Sequence, residues 1–228
     1  MDIAGKNFLV LGGSGVLGHE MVSQLTQRGA NVISTAHSNS SQTSNANHEV
    51  ISLDLSNNDS IVAAAAVIAQ SNPTLDGIVN CAGRVGFGTI AETTTDQALR
   101  LMQINHLGPA ALVTLLVPQL LSACEVNGEA IVVGITGVVT ERSFPGLAAY
   151  GESKLAASRH LAALAQEFRR VKIKTLDARP GHTETGLAQR ALFGAAPAFP
   201  TGMTAEHVVS TIVAGIEAGK SEIPSSDF

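Results

Sequence analysis

The stretch "FLVLGGSGVLG", residues 8–18, runs from an apolar segment through a glycine-rich turn into the start of a helix. "FLVL" (8–11) has the composition of a strand that is buried on both faces, as in a parallel sheet. Gly12, Gly15 and Gly18 follow it with the spacing G-x-x-G-x-x-G, although Gly13-x-Gly15-x-x-Gly18 also fits a glycine fingerprint. Such a turn lets backbone N–H groups at a helix N-terminus approach a pyrophosphate. The stretch therefore predicts a dinucleotide-binding βαβ unit, with Gly12 as the first residue of the tight turn.

The rest of the chain alternates short apolar runs with longer segments of helical period, which is typical of βαβ units. The predicted strands are "FLVL" (8–11), "NVISTA" (31–36), "VISL" (50–53), "GIVN" (77–80), "AIVVGI" (130–135) and "IKTLDA" (173–178). After the helix that follows the first strand, helices are predicted near 58–70, 95–123, 148–169 and 204–218. The polar segment "HSNSSQTSNANHE" (37–49) has no helical stripe and is predicted to be a flexible loop.

These elements predict an α/β fold: one Rossmann-type doubly wound parallel sheet with strand order 3-2-1-4-5-6. The ending "SEIPSSDF" has room for only a short seventh strand. No linker or repeat is evident, so residues 1–228 are expected to form a single NAD(P)-binding domain.

Composition excludes several other classes of function. The formal net charge is −5 and only 14% of residues are charged, so there is no basic surface for nucleic acid. No stretch approaches the length of a membrane span, and a cytoplasmic protein is expected. The two cysteines and seven histidines lack ligand spacing, which predicts that there is no metal site.

Four later motifs indicate a family. "NCAG" (80–83) follows the fourth predicted strand, Asn105 lies within the long helix, "YGESK" spans 150–154, and "RPGHTET" (179–185) follows the sixth strand. In order and spacing, and over nearly the whole chain, the sequence resembles the short-chain dehydrogenase/reductase family. The resemblance implies an enzyme that interconverts a carbonyl and an alcohol by hydride transfer with a nicotinamide cofactor.

The resemblance also implies a cofactor site, whose residues are those that match the family's motifs. They are Gly12, Ser14, Leu17 and Gly18 at the pyrophosphate; His37 and Ser38 at the ribose; Asp54 and Leu55 at the adenine; Asn80, Ala82, Gly83, Tyr150 and Lys154 along the second ribose; and Pro180, Gly181, Thr183 and Thr185 at the nicotinamide carboxamide.

The pair in "YGESK" is the predicted catalytic centre. Residues four apart share a helix face, so the Tyr150 hydroxyl and the Lys154 ammonium are expected to face one cleft, where the cation would lower the pKa of the phenol. The family role is that Tyr150 protonates the developing alkoxide while Asn105 holds a water of the proton relay. An isolated Tyr-x-x-x-Lys is otherwise an ordinary solvated pair, and only the accompanying motifs favour the catalytic interpretation.

One family residue is missing. Gly137 stands where the family usually has a serine that binds the substrate oxygen, and Thr136 can replace it only if the backbone bulges or kinks there. Loss of that donor would cost about 10²–10³ in rate. The sequence therefore leaves open a catalytically weak dinucleotide-binding sensor or scaffold. An epimerase of the extended branch is less favoured, because few residues follow Thr185.

The end of the second predicted strand bears on cofactor preference. Ala36 occupies the position where an acidic residue selects NAD, and His37 and Ser38 follow it. With no carboxylate to repel a 2′-phosphate, the sequence predicts NADP(H) in preference to NAD(H).

The substrate and the oligomer are less defined. The apolar segment 186–203 is predicted to be a mobile lid over a small, mostly apolar carbonyl or alcohol substrate. The family resemblance implies pairing of the helices 95–123 and 148–169 between subunits, and therefore a homodimer or homotetramer.

Overall fold

The computed structural model describes residues 1–37 and 48–228, and a seven-stranded parallel sheet forms its centre. The strands are β1 (Asn7–Leu11), β2 (Asn31–Ala36), β3 (His48–Ser52), β4 (Gly77–Asn80), β5 (Ala130–Ile135), β6 (Ile173–Ala178) and β7 (Glu222–Ile223). Their order across the sheet is β3-β2-β1-β4-β5-β6-β7. The prediction of a doubly wound Rossmann-type sheet with a short seventh strand is confirmed.

Helices cover both faces of this sheet. They are α1 (Val16–Gln27), α2 (Asn58–Ser71), α3 (Thr95–Met102), α4 (Gly108–Leu115), α5 (Val117–Asn127), α6 (Ala148–Glu167) and α7 (Ala205–Ala218). Met21 of α1 and Ile212 of α7 belong to the core on one face, whereas Ile61, Leu112 and Leu161 belong to the core on the other. Burial on both faces explains why the strands read as continuous apolar runs.

Strands β2, β4, β5 and β6 have the predicted bounds, whereas β1 begins one residue earlier and β3 differs more. The third strand runs from His48 to Ser52 instead of over 50–53, and its pairing with β2 begins at Val32 and His48. His48 and Glu49 therefore belong to a strand and not to the predicted loop. An edge strand tolerates polar residues, which explains why the apolar pattern missed them. Residues 38–47 of that predicted loop lie outside the described residues.

The segment 95–123, predicted to be helical, is divided into three helices. A π-helical turn, Gln103–Leu107, separates α3 from α4, and the chain bends again between α4 and α5. Pro109 and Pro118 have no N–H to donate to the preceding turn, and each lies in the first turn of its helix, where this is tolerated. A Cβ atom at Gly108 would lie 2.3 Å from the Leu55 carbonyl oxygen, so a larger residue does not fit there.

Parallel pairing aligns the carboxyl ends of the central strands. Leu11 of β1 is in register with Asn80 of β4, Asn80 with Gly134 of β5, and Gly134 with Asp177 of β6. The segments that follow these four strands therefore leave the sheet along one edge. In open α/β sheets, ligands bind at this carboxyl edge.

Within the residues described, no single helix is long and apolar enough to cross a membrane. The helical segments Thr95–Leu115 and Val117–Asn127 meet the length and composition test only as a pair, and they are bent by 55°.

Candidate active site

A cleft of about 590 Å³ opens at the carboxyl edge of the sheet. Its walls come from the turn after β1, the ends of β4 and β5, the first turns of α6 and the segment after β6. Ten predicted site residues line it: Leu17, Ala82, Gly83, Thr136, Tyr150, Lys154, Pro180, Gly181, Thr183 and Thr185. The others lie beside it or farther along the edge: Gly12, Ser14, Gly18, His37, Asp54, Leu55, Asn80 and Asn105. Ser38 lies outside the described residues.

The glycine turn forms a close-fitting cradle at the start of α1. Gly12 has a φ of 76°, and a Cβ atom there would lie 3.0 Å from the backbone of Ala82. A Cβ atom at Gly18 would lie 2.1 Å from the Gly12 carbonyl oxygen. Gly15, which precedes α1, has no side chain to cap the helix, and the residues that follow it line the cleft. These features fit a pyrophosphate, since the first-turn amides of a helix favour an anion.

The predicted adenine end brings two of its residues together. The His37 Nε2 lies 3.8 Å from a carboxylate oxygen of Asp54. Hydrogen bonds from the Ser56 side chain and amide, with a smaller contribution from His37, lower the pKa of Asp54 below its ordinary value. The Leu55 side chain is buried in the core, and its carbonyl accepts a hydrogen bond from Gln103 at 3.2 Å. Leu55 therefore does not present its side chain to this edge.

Helix α6 places Tyr150 and Lys154 on one wall of the cleft. The Lys154 Nζ lies 5.9 Å from the centre of the Tyr150 ring and donates to the Ile135 carbonyl at 2.8 Å. A Cβ atom at Gly83 would lie 3.3 Å from the same nitrogen, so the "NCAG" turn packs directly against the lysine. Asn80 fixes this turn by accepting from the Ala82 amide at 3.1 Å. Within the described part of the chain, the Tyr150 hydroxyl makes no hydrogen bond, and it can therefore bind a ligand.

The expected direction of the Tyr150 pKa shift is wrong. Burial raises the pKa of Tyr150 to about 12, because the phenolate is poorly solvated in the cleft wall. Burial also lowers the pKa of Lys154 to about 8, although Asp177 and Cys81 act in the opposite direction. The sequence indicated the neighbouring cation but not the degree of burial, and burial is the larger effect. Tyr150 is consequently a neutral phenol at physiological pH.

The Lys154 pKa predicts a rise in stability with pH. Between about pH 8 and its ordinary pKa of 10.5, Lys154 has lost its proton in the folded chain but keeps it in the unfolded chain. The free energy of unfolding should therefore rise across this window, by on the order of 1–3 kcal/mol.

The measurement is urea unfolding at several pH values for wild type and Lys154→Met. Tyr150 and Cys81, whose pKa values burial raises, lower stability at high pH in both proteins. The difference between the two curves therefore isolates Lys154. Parallel curves between pH 8 and pH 10 would show that the lysine is not buried as described.

Asn105 is fully buried, and its side chain is committed to the protein. Its amide nitrogen donates to the Arg84 carbonyl and to Ser153 Oγ, each at 2.9 Å, and its oxygen accepts from the Arg84 amide at 2.8 Å. The side chain thus holds the segment after the "NCAG" turn against α6. The Asn105 carbonyl has no α-helical donor, because that donor would be residue 109 and Pro109 has no N–H.

Thr136 does not supply the donor that the missing serine would have given. The expected kink is present: Gly137 has a φ of 85°, and the Thr136 and Gly137 amides both approach the Ala178 carbonyl, at 2.8 and 3.3 Å. However, the Thr136 hydroxyl donates to the Asp177 carboxylate at 2.5 Å. A hydroxyl has one proton, so in this arrangement Thr136 cannot also donate to a substrate oxygen.

Asp177 is the main residue that sequence reasoning missed. It is buried in β6 and accepts from Thr136, from Ser158 Oγ at 2.6 Å and from Arg179 Nε at 3.1 Å. A carboxylate inside the apolar run "IKTLDA" was the available signal, because a buried acid needs partners.

The segment 186–203 forms the outer wall of the cleft. The Leu192 amide donates to the Val85 carbonyl at 2.8 Å, and the Phe87 amide donates to the Phe193 carbonyl at 3.0 Å. Near its end, the Phe199 ring stacks on His182 with a centroid separation of 4.7 Å. These contacts hold the middle of the predicted lid against the segment that follows β4.

The glycine turn, the doubly wound sheet and the Tyr150–Lys154 wall define a class of protein, the NAD(P)-binding oxidoreductases of the Rossmann type. A family model described as short chain dehydrogenase matches residues 6–192. The chain belongs to this family of dehydrogenases and reductases.

Curated relatives agree with this assignment. The chain is 29% identical over 186 residues to mouse (Mus musculus) dehydrogenase/reductase SDR family member 7B, a match that covers 78% of this chain and 56% of the relative. The rat (Rattus norvegicus) protein of the same name is 28% identical over 200 residues, covering 85% of this chain and 60% of the relative. The chain thus spans less than two thirds of the length of these relatives.

Solved structures share the fold over nearly their whole length. A short-chain dehydrogenase from Streptomyces avermitilis superposes with a TM-score of 0.84 at 25% identity, covering 97% of this chain and 88% of the other. A short chain dehydrogenase from Burkholderia cenocepacia J2315, solved in complex with NADP, gives a TM-score of 0.85 at 20% identity, covering 99% and 90%.

Proposed function

We propose that residues 1–228 act as one NADP(H)-dependent domain that interconverts a carbonyl and an alcohol on a small, mostly apolar substrate. The observation that carries this proposal is the Tyr150 hydroxyl, which lines the cleft beside Lys154 and has no hydrogen-bond partner among the described residues. A sensor or scaffold has less use for such a group.

The cofactor would lie along the carboxyl edge of the sheet. Its pyrophosphate would bind at the glycine turn and the start of α1, its adenine beside Asp54, and its carboxamide against the segment Pro180–Thr185. Lys154 would bind the ribose hydroxyls. When bound, the nicotinamide supplies or accepts the hydride.

The chain's own residues would donate the proton and replace it. Tyr150, neutral at physiological pH, would donate its proton to the substrate oxygen as negative charge develops there. The Lys154 ammonium would stabilise the resulting phenolate electrostatically. The Asn105 carbonyl, rather than its side chain, would hold a water that returns a proton toward Tyr150.

The preference for NADP(H) predicts that one substitution will shift binding toward NAD(H). Ala36 is a small residue at the end of β2, and the exposed His37 follows it. Ala36→Asp should shift the ratio of the NADPH and NADH dissociation constants toward NADH by about 10–100-fold, because the carboxylate would repel the 2′-phosphate and accept from a 2′-hydroxyl.

Ala36→Asn is the matched control for this prediction, since it adds the same bulk at a buried position without the charge. Both variants and wild type would be titrated with NADPH and NADH, and binding would be followed by nicotinamide fluorescence. The chain has no tryptophan, so its own emission interferes little. An unchanged ratio in Ala36→Asp would place the ribose site elsewhere.

The test of the function as a whole combines this titration with turnover. Wild type should bind NADPH and oxidise it in the presence of apolar ketones or aldehydes. Binding without turnover of any carbonyl in a broad panel would instead favour the sensor or scaffold.

The proposal extends to assembly and location. Four exposed leucines on α3, the π-helical turn, α4 and α6 support a homodimer or homotetramer: Leu99, Leu107, Leu115 and Leu155. The two free cysteines fit the reducing environment of a cytoplasmic location.

A further inference from the structure

The charged groups along the cleft are all basic. Among the described residues that line it, the groups that carry or can gain positive charge are Lys154, Arg142, Arg190 and His182, and neither Asp nor Glu lines it. The chain as a whole has a net charge of −5, so this local excess is opposite to the overall balance. A cleft with one sign of charge attracts the opposite sign.

Two of these cations are committed to the protein. Lys154 donates to the Ile135 carbonyl at the nicotinamide end. The Arg190 guanidinium donates to the carbonyls of Gly186 and Thr185, at 3.0 and 2.9 Å. Both groups therefore stabilise the walls of the cleft.

Arg142 differs from them. Its guanidinium carbon lies 5.0 Å from the centre of the Phe144 ring, which fixes the side chain by a cation–π contact. The adjacent Glu141 carboxylate accepts from the Ser225 amide at 2.9 Å and from the Ser225 hydroxyl, and these bonds, with a smaller contribution from Arg142, lower its pKa. In the described part of the chain, no carboxylate lies within 4 Å of the Arg142 guanidinium, so its fork of donors can take an anion.

Much of the cleft that Arg142 lines is apolar. Its lining includes ten hydrophobic side chains from the segment after β4, the turn before α6 and the segment after β6: Val85, Phe87, Val138, Val139, Phe144, Leu147, Leu187, Phe199, Pro200 and Met203. The cleft of about 590 Å³ would be shared by the nicotinamide end of the cofactor and the substrate, and its apolar lining suits a substrate with an apolar body. One end of such a body would be the carbonyl at Tyr150.

We propose that the substrate is an apolar carbonyl compound that carries a carboxylate, and that Arg142 binds this carboxylate. This inference rests on the proposed reductase function, because it assigns the part of the cleft beyond the reacting carbon. A single guanidinium matches one carboxylate with two parallel hydrogen bonds.

The first test measures binding and does not depend on turnover. Octanoate and octanamide, which have the same length, would be titrated by calorimetry into wild type, Arg142→Gln and Arg100→Gln, each with saturating NADPH. Arg100 is exposed on α3 outside the cleft, so Arg100→Gln removes the same charge at a position that does not contact the substrate. Wild type and Arg100→Gln should bind octanoate at least about tenfold more tightly than octanamide, and Arg142→Gln should lose this preference.

Equal binding of the acid and the amide, or a preference that persists in Arg142→Gln, would overturn the inference. Failure of both probes to bind would do the same, since the apolar cleft would then not accept such a body.

A second test separates this inference from the proposed function. Oxooctanoates and their methyl esters would be compared as substrates, and Arg142→Gln should lower kcat/KM for the acids but not for the esters. Reduction of both forms with equal efficiency in wild type would leave the reductase standing and reject the role of Arg142. An octanoate preference that depends on Arg142, without reduction of any ketone, would support the carboxylate site and reject the reductase.

Discussion

Tyr150→Phe is expected to lower the rate of carbonyl reduction by about 10²–10⁴-fold, because it removes only the proton that the substrate oxygen must receive. The aromatic ring of phenylalanine still packs in the cleft wall, and the hydroxyl that is removed has no protein partner among the described residues. The variant should therefore fold normally and bind NADPH within about twofold of wild type. Single-turnover oxidation of bound NADPH by an accepted ketone measures the chemical step directly.

Thr140→Val is a suitable control for this variant. The Thr140 hydroxyl donates to the Gly137 carbonyl at 2.8 Å and does not line the cleft, so its loss should leave the rate near that of wild type. A Tyr150→Phe variant that keeps more than about a tenth of the wild-type rate would show that another group delivers the proton. The proposed role of Tyr150 would then be wrong.

The pKa of Tyr150 also bears on the direction of the reaction. A phenol with a pKa of about 12 carries its proton throughout the physiological range, as the reduction of a carbonyl requires. Oxidation of an alcohol requires the phenolate as a base, and burial disfavours that form. In the proposed mechanism, the free protein therefore holds Tyr150 in the protonated form that can donate to a carbonyl oxygen.

The fold could be predicted from the sequence because each central strand is buried on both faces. Runs such as "NVISTA" and "AIVVGI" have few interpretations other than parallel strands, and their bounds were correct. The third strand was misplaced because pairing with β2 carries it over polar residues at the sheet edge. The long helix was misjudged although Pro118, a residue common in the first turn of helices, was a readable sign of a new start.

The candidate site could be predicted only where linear motifs define it. Tyr150, Lys154 and Gly83 meet in the cleft because each motif follows a strand whose carboxyl end lies at the same edge. The hydrogen bond between Thr136 and Asp177 joins residues 41 positions apart, and nothing local in the sequence indicates it. The pKa directions required knowledge of burial, which the sequence does not carry. Arg142 likewise belongs to no motif in the sequence, and only its position in the cleft distinguishes it from the other arginines.

The buried carboxylate of Asp177 binds the hydroxyl next to the missing serine position, that of Thr136, and should also stabilise the fold. It holds the hydroxyls of Thr136 and Ser158 and the guanidinium of Arg179, which also contacts the exposed Glu222 at 3.1 Å. Its charge also favours the protonated form of Lys154. One side chain therefore fixes the kink at Gly137, the start of the segment after β6, and part of the electrostatics of the cleft.

Asp177→Asn should lower the free energy of unfolding by about 2–4 kcal/mol. The NH2 group of asparagine would face a hydroxyl that now donates to a carboxylate oxygen, and Arg179 would lose its buried charged partner. Glu222→Gln removes the other carboxylate from the same arginine at an exposed position, and it should cost less than about 1 kcal/mol. Urea unfolding of wild type and both variants measures the two changes. Equal losses in the two variants would mean that Asp177 is one more surface ion pair. A loss confined to Asp177→Asn would show that the buried carboxylate, through its bonds to Thr136, Ser158 and Arg179, stabilises the fold more than the exposed ion pair does.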